Sequence, residues 1–219
     1  MAGALARLSG AAVLMVDYRL APEHRFPAGL DDCITAFDWA SRHGPDAHRQ
    51  GEHEAQVHLS LVGDSAGGNL AAATCLELVA RGARTPDRLV LIAGTLDNQS
   101  PPDRTAIDDQ IVTAESLAAA TAAYLGPGEV PSDYRVSPVR GPHALLTGFP
   151  PTLLQVSAIE TLAYDSRNFA ARLAEAGVRV NLSIWPELAH VWHAFLGLFP
   201  EATEALREIA AFVNGGIDR

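Results

Sequence analysis

Apolar stretches of two different periods alternate along the chain. Six consecutive apolar residues open Ala11–Tyr18 (AAVLMVDY), the pattern of a strand buried on both faces of a sheet. Pro27–Arg42 follows, with Leu30, Ile34, Phe37 and Trp39 near three- and four-residue intervals. That spacing predicts a helix, stopped by Gly44-Pro45. His58–Val62 reads as a second strand, and Ala66–Ala80 as a helix closed by Gly82. Arg88–Ala93 (RLVLIA) reads as a third strand. The stretch from Gly94 to Phe149 is irregular, with one Ala-rich helix near Ala114–Leu125. Thr152–Val156 and Val178–Trp185 are further strands; between them lies a helix around Ser166–Ala176, ended by Gly177. A last helix covers Glu201–Val213. Strands separated by helices predict an α/β fold, a mostly parallel sheet covered on both faces. No repeat or linker divides residues 1–219, so a single domain is expected.

Composition narrows the class of partner. The chain has 219 residues, 48% of them hydrophobic, enough to bury one substantial core. A formal net charge of −10 disfavours nucleic acid and anionic membrane surfaces, since both recruit clustered Lys and Arg. Cys33 and Cys75 fall in apolar helical stretches and read as buried free thiols. The first apolar run is shorter than an export signal's and is preceded by Gly10, and no stretch is long enough to span a bilayer. A cytoplasmic protein without a membrane anchor is therefore expected. His43, His48, His53 and His58 recur every five residues beside Glu52 and Glu54. That spacing shares no helical face, so a solvated loop is expected rather than a metal site. The charged stretch from Asp17 and Arg19 to Glu23 reads as a turn held by ion pairs.

Chemistry enters at Gly63-Asp64-Ser65-Ala66-Gly67, between the strand HLSLV and the helix AGGNLAAATCLELVA. G-x-S-x-G between a strand and a helix is a nucleophile elbow. The one-step turn forces the serine into a strained conformation, and small neighbours let the flanking elements approach. Ser65 Oγ is then exposed at the strand's carboxyl end. The Ala66 N–H, at the helix N-terminus, becomes the backbone donor for an oxyanion.

GDSAGGNLA, together with VDYRLAPEHRFPAGLDD at Val16–Asp32, resembles the hormone-sensitive-lipase-like family of α/β-hydrolase carboxylesterases. SPV at Ser137–Val139, PPTLLQV at Pro150–Val156 and WPELAHVWHAF at Trp185–Phe195 resemble its later landmarks, in the right order. The resemblance implies an α/β-hydrolase fold and a serine carboxylesterase for short- to medium-chain acyl esters, working through a Ser–acid–His triad without a cofactor. His190 matches the family's catalytic histidine. His193, three residues on, is expected to pack or cap. Glu160 in SAIETLAYD aligns with the acid, where the family usually has Asp, often followed by Pro-Leu. Asp165 is the alternative acid, its other role being to cap the helix near Ser166. The order Ser65, Glu160, His190 is that of the fold.

The sequence also departs from the family. The His-Gly-Gly-Gly motif that supplies the other oxyanion donors upstream of Val16 is absent, and Met1 falls in the helix expected just before the first strand. Losing one such donor costs on the order of a hundred- to a thousand-fold in turnover, so weak activity is expected. An N-terminally truncated hydrolase lacking its first strands and cap is the expectation, or a true start codon further upstream. Ala11–Tyr18 and the strand HLSLV would then either close together or leave apolar faces open, favouring a homodimer. A ligand-binding relative without catalysis, as plant gibberellin receptors are in this family, is the alternative. An amidase on the same fold is a third reading.

Overall fold

The computed structural model describes residues 1–44, 58–99, 101–106, 109 and 111–216. His48, His53, Glu52 and Glu54 lie outside the described residues. Four parallel strands form the sheet among the described residues: β1 (Ser60–Asp64), β2 (Arg88–Ile92), β3 (Thr152–Ser157) and β4 (Val180–Trp185), side by side in chain order. Val62 pairs with Val90, Leu91 with Leu154, and Gln155 with Ser183.

The central strand β2 shows how the layers form. All five of its residues are buried, and successive side chains point to opposite faces. Leu89 and Leu91 meet α3 (Ala66–Ala80) and α6 (Ala163–Glu175). Val90 and Ile92 meet α1 (Ala2–Ser9) and α7 (Pro200–Val213) on the other face. A strand buried on both sides needs the continuous apolar run that the sequence displays. Helix α7 covers one face only, so its buried residues Ala202, Ala205, Leu206, Ile209 and Val213 form a stripe. Helix α3 lies between the sheet and α2 (Ala28–His43), whose Leu30 and Ile34 pack on Leu70 and Ala73. Its sequence is accordingly apolar all round. The long connection from β2 to β3 carries α4 (Ala114–Tyr124), capped by the Thr113 side chain, and the short α5 (His143–Leu146).

Most elements fall where the spacing predicts them. β1 runs two residues beyond the predicted Val62, and α6 begins three residues before Ser166. Ala11–Tyr18 differs. It forms no strand, pairs with none of the four, and leaves Leu14 56% and Met15 71% exposed. Apolar content sets which faces a strand can bury, but a ladder needs a hydrogen-bonding neighbour, and β1 pairs with β2 alone among the described strands. Beyond it, the charged turn is held by an ion pair from Arg19 to Asp32 in α2 at 2.8 Å, and Arg19 also donates to the Ala28 carbonyl. Both cysteines are free; burial pushes the Cys33 thiol to about 11 and raises that of Cys75 further. No described helix is long and apolar enough to cross a membrane.

Candidate active site

β1 ends at Asp64 and α3 begins at Ala66, so Ser65 alone makes the turn, at φ 51° and ψ −116°. Positive φ in a non-glycine residue costs on the order of 1–3 kcal/mol and persists only where the surroundings hold it. Here the Ser65 N–H donates to the Ile92 carbonyl at 2.9 Å, and the Ser65 carbonyl accepts from Asn69 and Thr95 N–H groups, each at 3.2 Å. Asn69 Nδ2 donates to the carbonyls of Thr95 (2.6 Å) and Val136 (2.8 Å), tying α3 to the loop after β2. Gly63 is required sterically: a Cβ there would lie 2.1 Å from the Gly67 carbonyl oxygen. A Cβ on Gly68 would lie 2.8 Å from Gly94 Cα, whereas one on Gly67 would meet nothing within 4 Å. Ala66 is the first residue of α3. Its N–H belongs to the turn that has no intrahelical acceptor, at the positive end of the helix dipole.

His190 follows β4 in a loop where Glu187 and Val191 take left-handed φ values of 48° and 49°. His190 Nε2 lies 2.9 Å from Ser65 Oγ, and Nδ1 lies 2.5 Å from Glu160 Oε1. A carboxylate can only accept, so Nδ1 carries the proton and Nε2 presents its lone pair to the serine hydroxyl. Glu160 is 1% exposed, and its second oxygen accepts the Ser157 N–H at 2.7 Å. Ser157 Oγ in turn accepts the Leu188 N–H at 3.0 Å. The end of β3 thus holds both the acid's loop and the histidine's loop. All three side chains lie at carboxyl ends of parallel strands, where open α/β sheets form their sites.

The rival residues are engaged elsewhere. Asp165 lies inside α6, forms a buried ion pair with Arg104, and accepts the N–H groups of Leu96 (2.8 Å) and Asp97 (2.9 Å). It neither contacts His190 nor caps its own helix. Burial raises its carboxyl, and the Arg104 guanidinium opposes that rise. His193 is fully buried in a short 3₁₀ turn, Trp192–Ala194. Gln155 Nε2 donates to Glu208 Oε2 at 2.6 Å, so Gln155 Oε1 faces His193 Nε2 at 2.8 Å and accepts its proton. Burial drives the His193 imidazole down to about 3. Sequence reasoning missed Ser157, Asn69 and Arg104, whose roles rest on contacts between distant segments. Among the described residues, no group of three or more His, Cys, Asp or Glu is placed to hold a metal ion.

Residues 1–194 match the model of a family described as having the alpha/beta hydrolase fold. The chain is also 35% identical, with a TM-score of 0.86, to an esterase of the bacterial hormone-sensitive lipase family, covering 98% of this chain and 69% of that one. The chain belongs to the hormone-sensitive-lipase-like carboxylic ester hydrolases of the α/β-hydrolase fold. Another similar structure is an esterase/lipase from an uncultured bacterium, with a TM-score of 0.87 at 32% identity over 100% of this chain and 70% of that one. An acetyl-hydrolase of Streptomyces hygroscopicus is 34% identical over 98% of this chain. A carboxylesterase/phospholipase of Mycobacterium tuberculosis is 33% identical over 96%. The chain spans 68% and 55% of the lengths of these two relatives.

Proposed function

We propose that this hormone-sensitive-lipase-like chain hydrolyses short- to medium-chain carboxylic esters through Ser65, His190 and Glu160. The observation that carries the reading is the unbroken hydrogen-bonded line from Ser65 Oγ through His190 to Glu160 Oε1. Ser65 Oγ attacks the ester carbonyl while His190 Nε2 takes its proton. The oxyanion so formed accepts the Ala66 N–H. Collapse expels the alcohol, which leaves with the proton from His190, and the acyl group remains on Ser65. Water then attacks this acyl-enzyme, with His190 again as base, and releases the carboxylic acid. Glu160 orients the imidazole and stabilises its charged form. Every proton is carried by the chain's own residues.

The substrate class rests on relatives and on surface chemistry. One relative is an acetyl-hydrolase, and a similar structure was soaked with p-nitrophenyl butyrate. Phe195, Leu196 and Leu198, just after His190, are exposed and offer apolar surface suited to an acyl chain.

Hydrolysis of p-nitrophenyl acetate and butyrate tests the proposal. Purified protein should turn over both esters, and Ser65→Ala should fall to background while keeping its fold. Glu160→Ala should lose on the order of 10⁴ in kcat, as loss of the orienting acid does in serine hydrolases. Equal rates for the parent protein and Ser65→Ala would overturn the reading.

A further inference from the structure

We propose that Asp109 is a positioning residue for the acid of this site, acting on the peptide unit that joins Glu160 to Thr161. The proposal rests on the triad reading above.

Asp109 and Val112 are both fastened to Thr161, the residue immediately after Glu160. Asp109 Oδ2 accepts the Thr161 N–H at 2.9 Å. That N–H belongs to the same peptide plane as the Glu160 carbonyl, which accepts the Ala163 N–H at 3.0 Å. Both poles of the plane are therefore bound, and the backbone torsion that aims Glu160 is fixed. Thr161, 2% exposed, closes the junction by donating its hydroxyl to the Val112 carbonyl at 2.7 Å.

Asp109 is itself held before it reaches Thr161. Its other oxygen, Oδ1, accepts the N–H groups of Ile111 (2.9 Å) and Val112 (3.0 Å). Upstream in the chain, Arg104 is buried against Asp165. Asp109 thus holds the acid's loop at Thr161, and Arg104 holds the helix that follows it at Asp165.

A glutamate needs this support more than its position alone would suggest. Three side-chain torsions separate its backbone from its carboxylate, and Glu160 must meet both His190 Nδ1 and the Ser157 N–H. Fixing the peptide plane leaves those two bonds to set the side chain. Releasing it lets the carboxylate retreat from the imidazole, and misplacement of about 1 Å in such a site can cost on the order of a hundredfold in rate.

The test compares Asp109→Ala, Asp109→Asn and Thr161→Val in the full chain, and Asp109→Ala again in a Glu160→Ala background. Three readouts are taken: kcat and KM for p-nitrophenyl butyrate, the melting temperature, and the low-field proton NMR resonance of His190 Nδ1–H. Glu160→Ala assigns that resonance by abolishing it. Asp109→Ala should broaden or remove it and lower kcat by on the order of 10- to 100-fold, with KM within about twofold. Asp109→Asn, which keeps one acceptor oxygen, should recover part of both signals. Thr161→Val keeps the N–H, stands in if Asp109→Ala does not fold, and should give a smaller loss of the same kind. In the Glu160→Ala background, Asp109→Ala should cost nothing further. A folded Asp109→Ala with parental resonance and kcat overturns the proposal, as does an equal loss in both backgrounds. A Glu160→Ala protein with parental kcat and resonance overturns the triad reading instead.

Discussion

His190 and His193 stand three residues apart in opposite surroundings, and the contrast gives a pH prediction. His190 is held between a serine hydroxyl and a carboxylate. His193 is buried against Gln155, and burial lowers its imidazole from 6.5 to about 3. Above the unfolded value, both folded and unfolded chains carry it neutral. As the pH falls below about 6.5, the unfolded chain takes up a proton that the folded chain refuses until near 3. Stability is therefore lost on acidification across this window, by up to about 1.4 kcal/mol per pH unit. Urea midpoints measured between about pH 6.5 and 5 should fall less steeply in His193→Gln than in the parent protein. The two carboxylates differ in the same way. Asp165 serves the fold, so Arg104→Met, which leaves that carboxylate buried and unpaired, should cost about 3–5 kcal/mol in chemical denaturation. From sequence alone Glu160 and Asp165 were competitors five residues apart. What separates them is Arg104, far upstream and in an irregular stretch where no local pattern reveals its partner.

The elbow was legible as an element because its steric demands are local. Strand, Gly-x-Ser-x-Gly and helix occupy one continuous stretch, and α3 begins and ends at the residues its pattern predicts. Its glycines are not equivalent, however, and that difference was not readable from the motif. Gly63→Ala would drive a Cβ into the Gly67 carbonyl, so it should destabilise the fold by at least about 1–3 kcal/mol and abolish esterase activity. Gly67→Ala meets open space and gains helix propensity, so it should equal the parent in stability or exceed it by up to about 1 kcal/mol. Thermal melts of the two variants, side by side, check both outcomes. Ala11–Tyr18 marks where element-level reading fails. Its apolar run satisfies the pattern of a buried strand, but pairing is a property of neighbours, and those are set by the whole sheet.

At the scale of the molecule, the alternation of strands and helices was enough to specify a parallel sheet with two covered faces. The connection between β2 and β3 was not legible, because its residues act across long separations: Asp109 on Thr161, Asn98 on Val136, Arg140 on Asp97. Surface chemistry then sets how the whole behaves in solution. Val13, Leu14, Met15, Val16 and Leu20 are exposed along one stretch, and β1 has a single ladder partner among the described strands. Contiguous exposed apolar surface favours contact with a second copy. Sedimentation velocity over a range of concentrations should therefore show the parent protein associating. Leu14→Lys with Met15→Lys places charge on the two most exposed large apolar residues of Ala11–Tyr18 and should hold the protein monomeric. Esterase activity per chain should be unchanged, since both side chains are exposed and the hydrogen-bonded line runs through Ser65, His190 and Glu160. Association that persists undiminished in the double variant would place the contact on another surface.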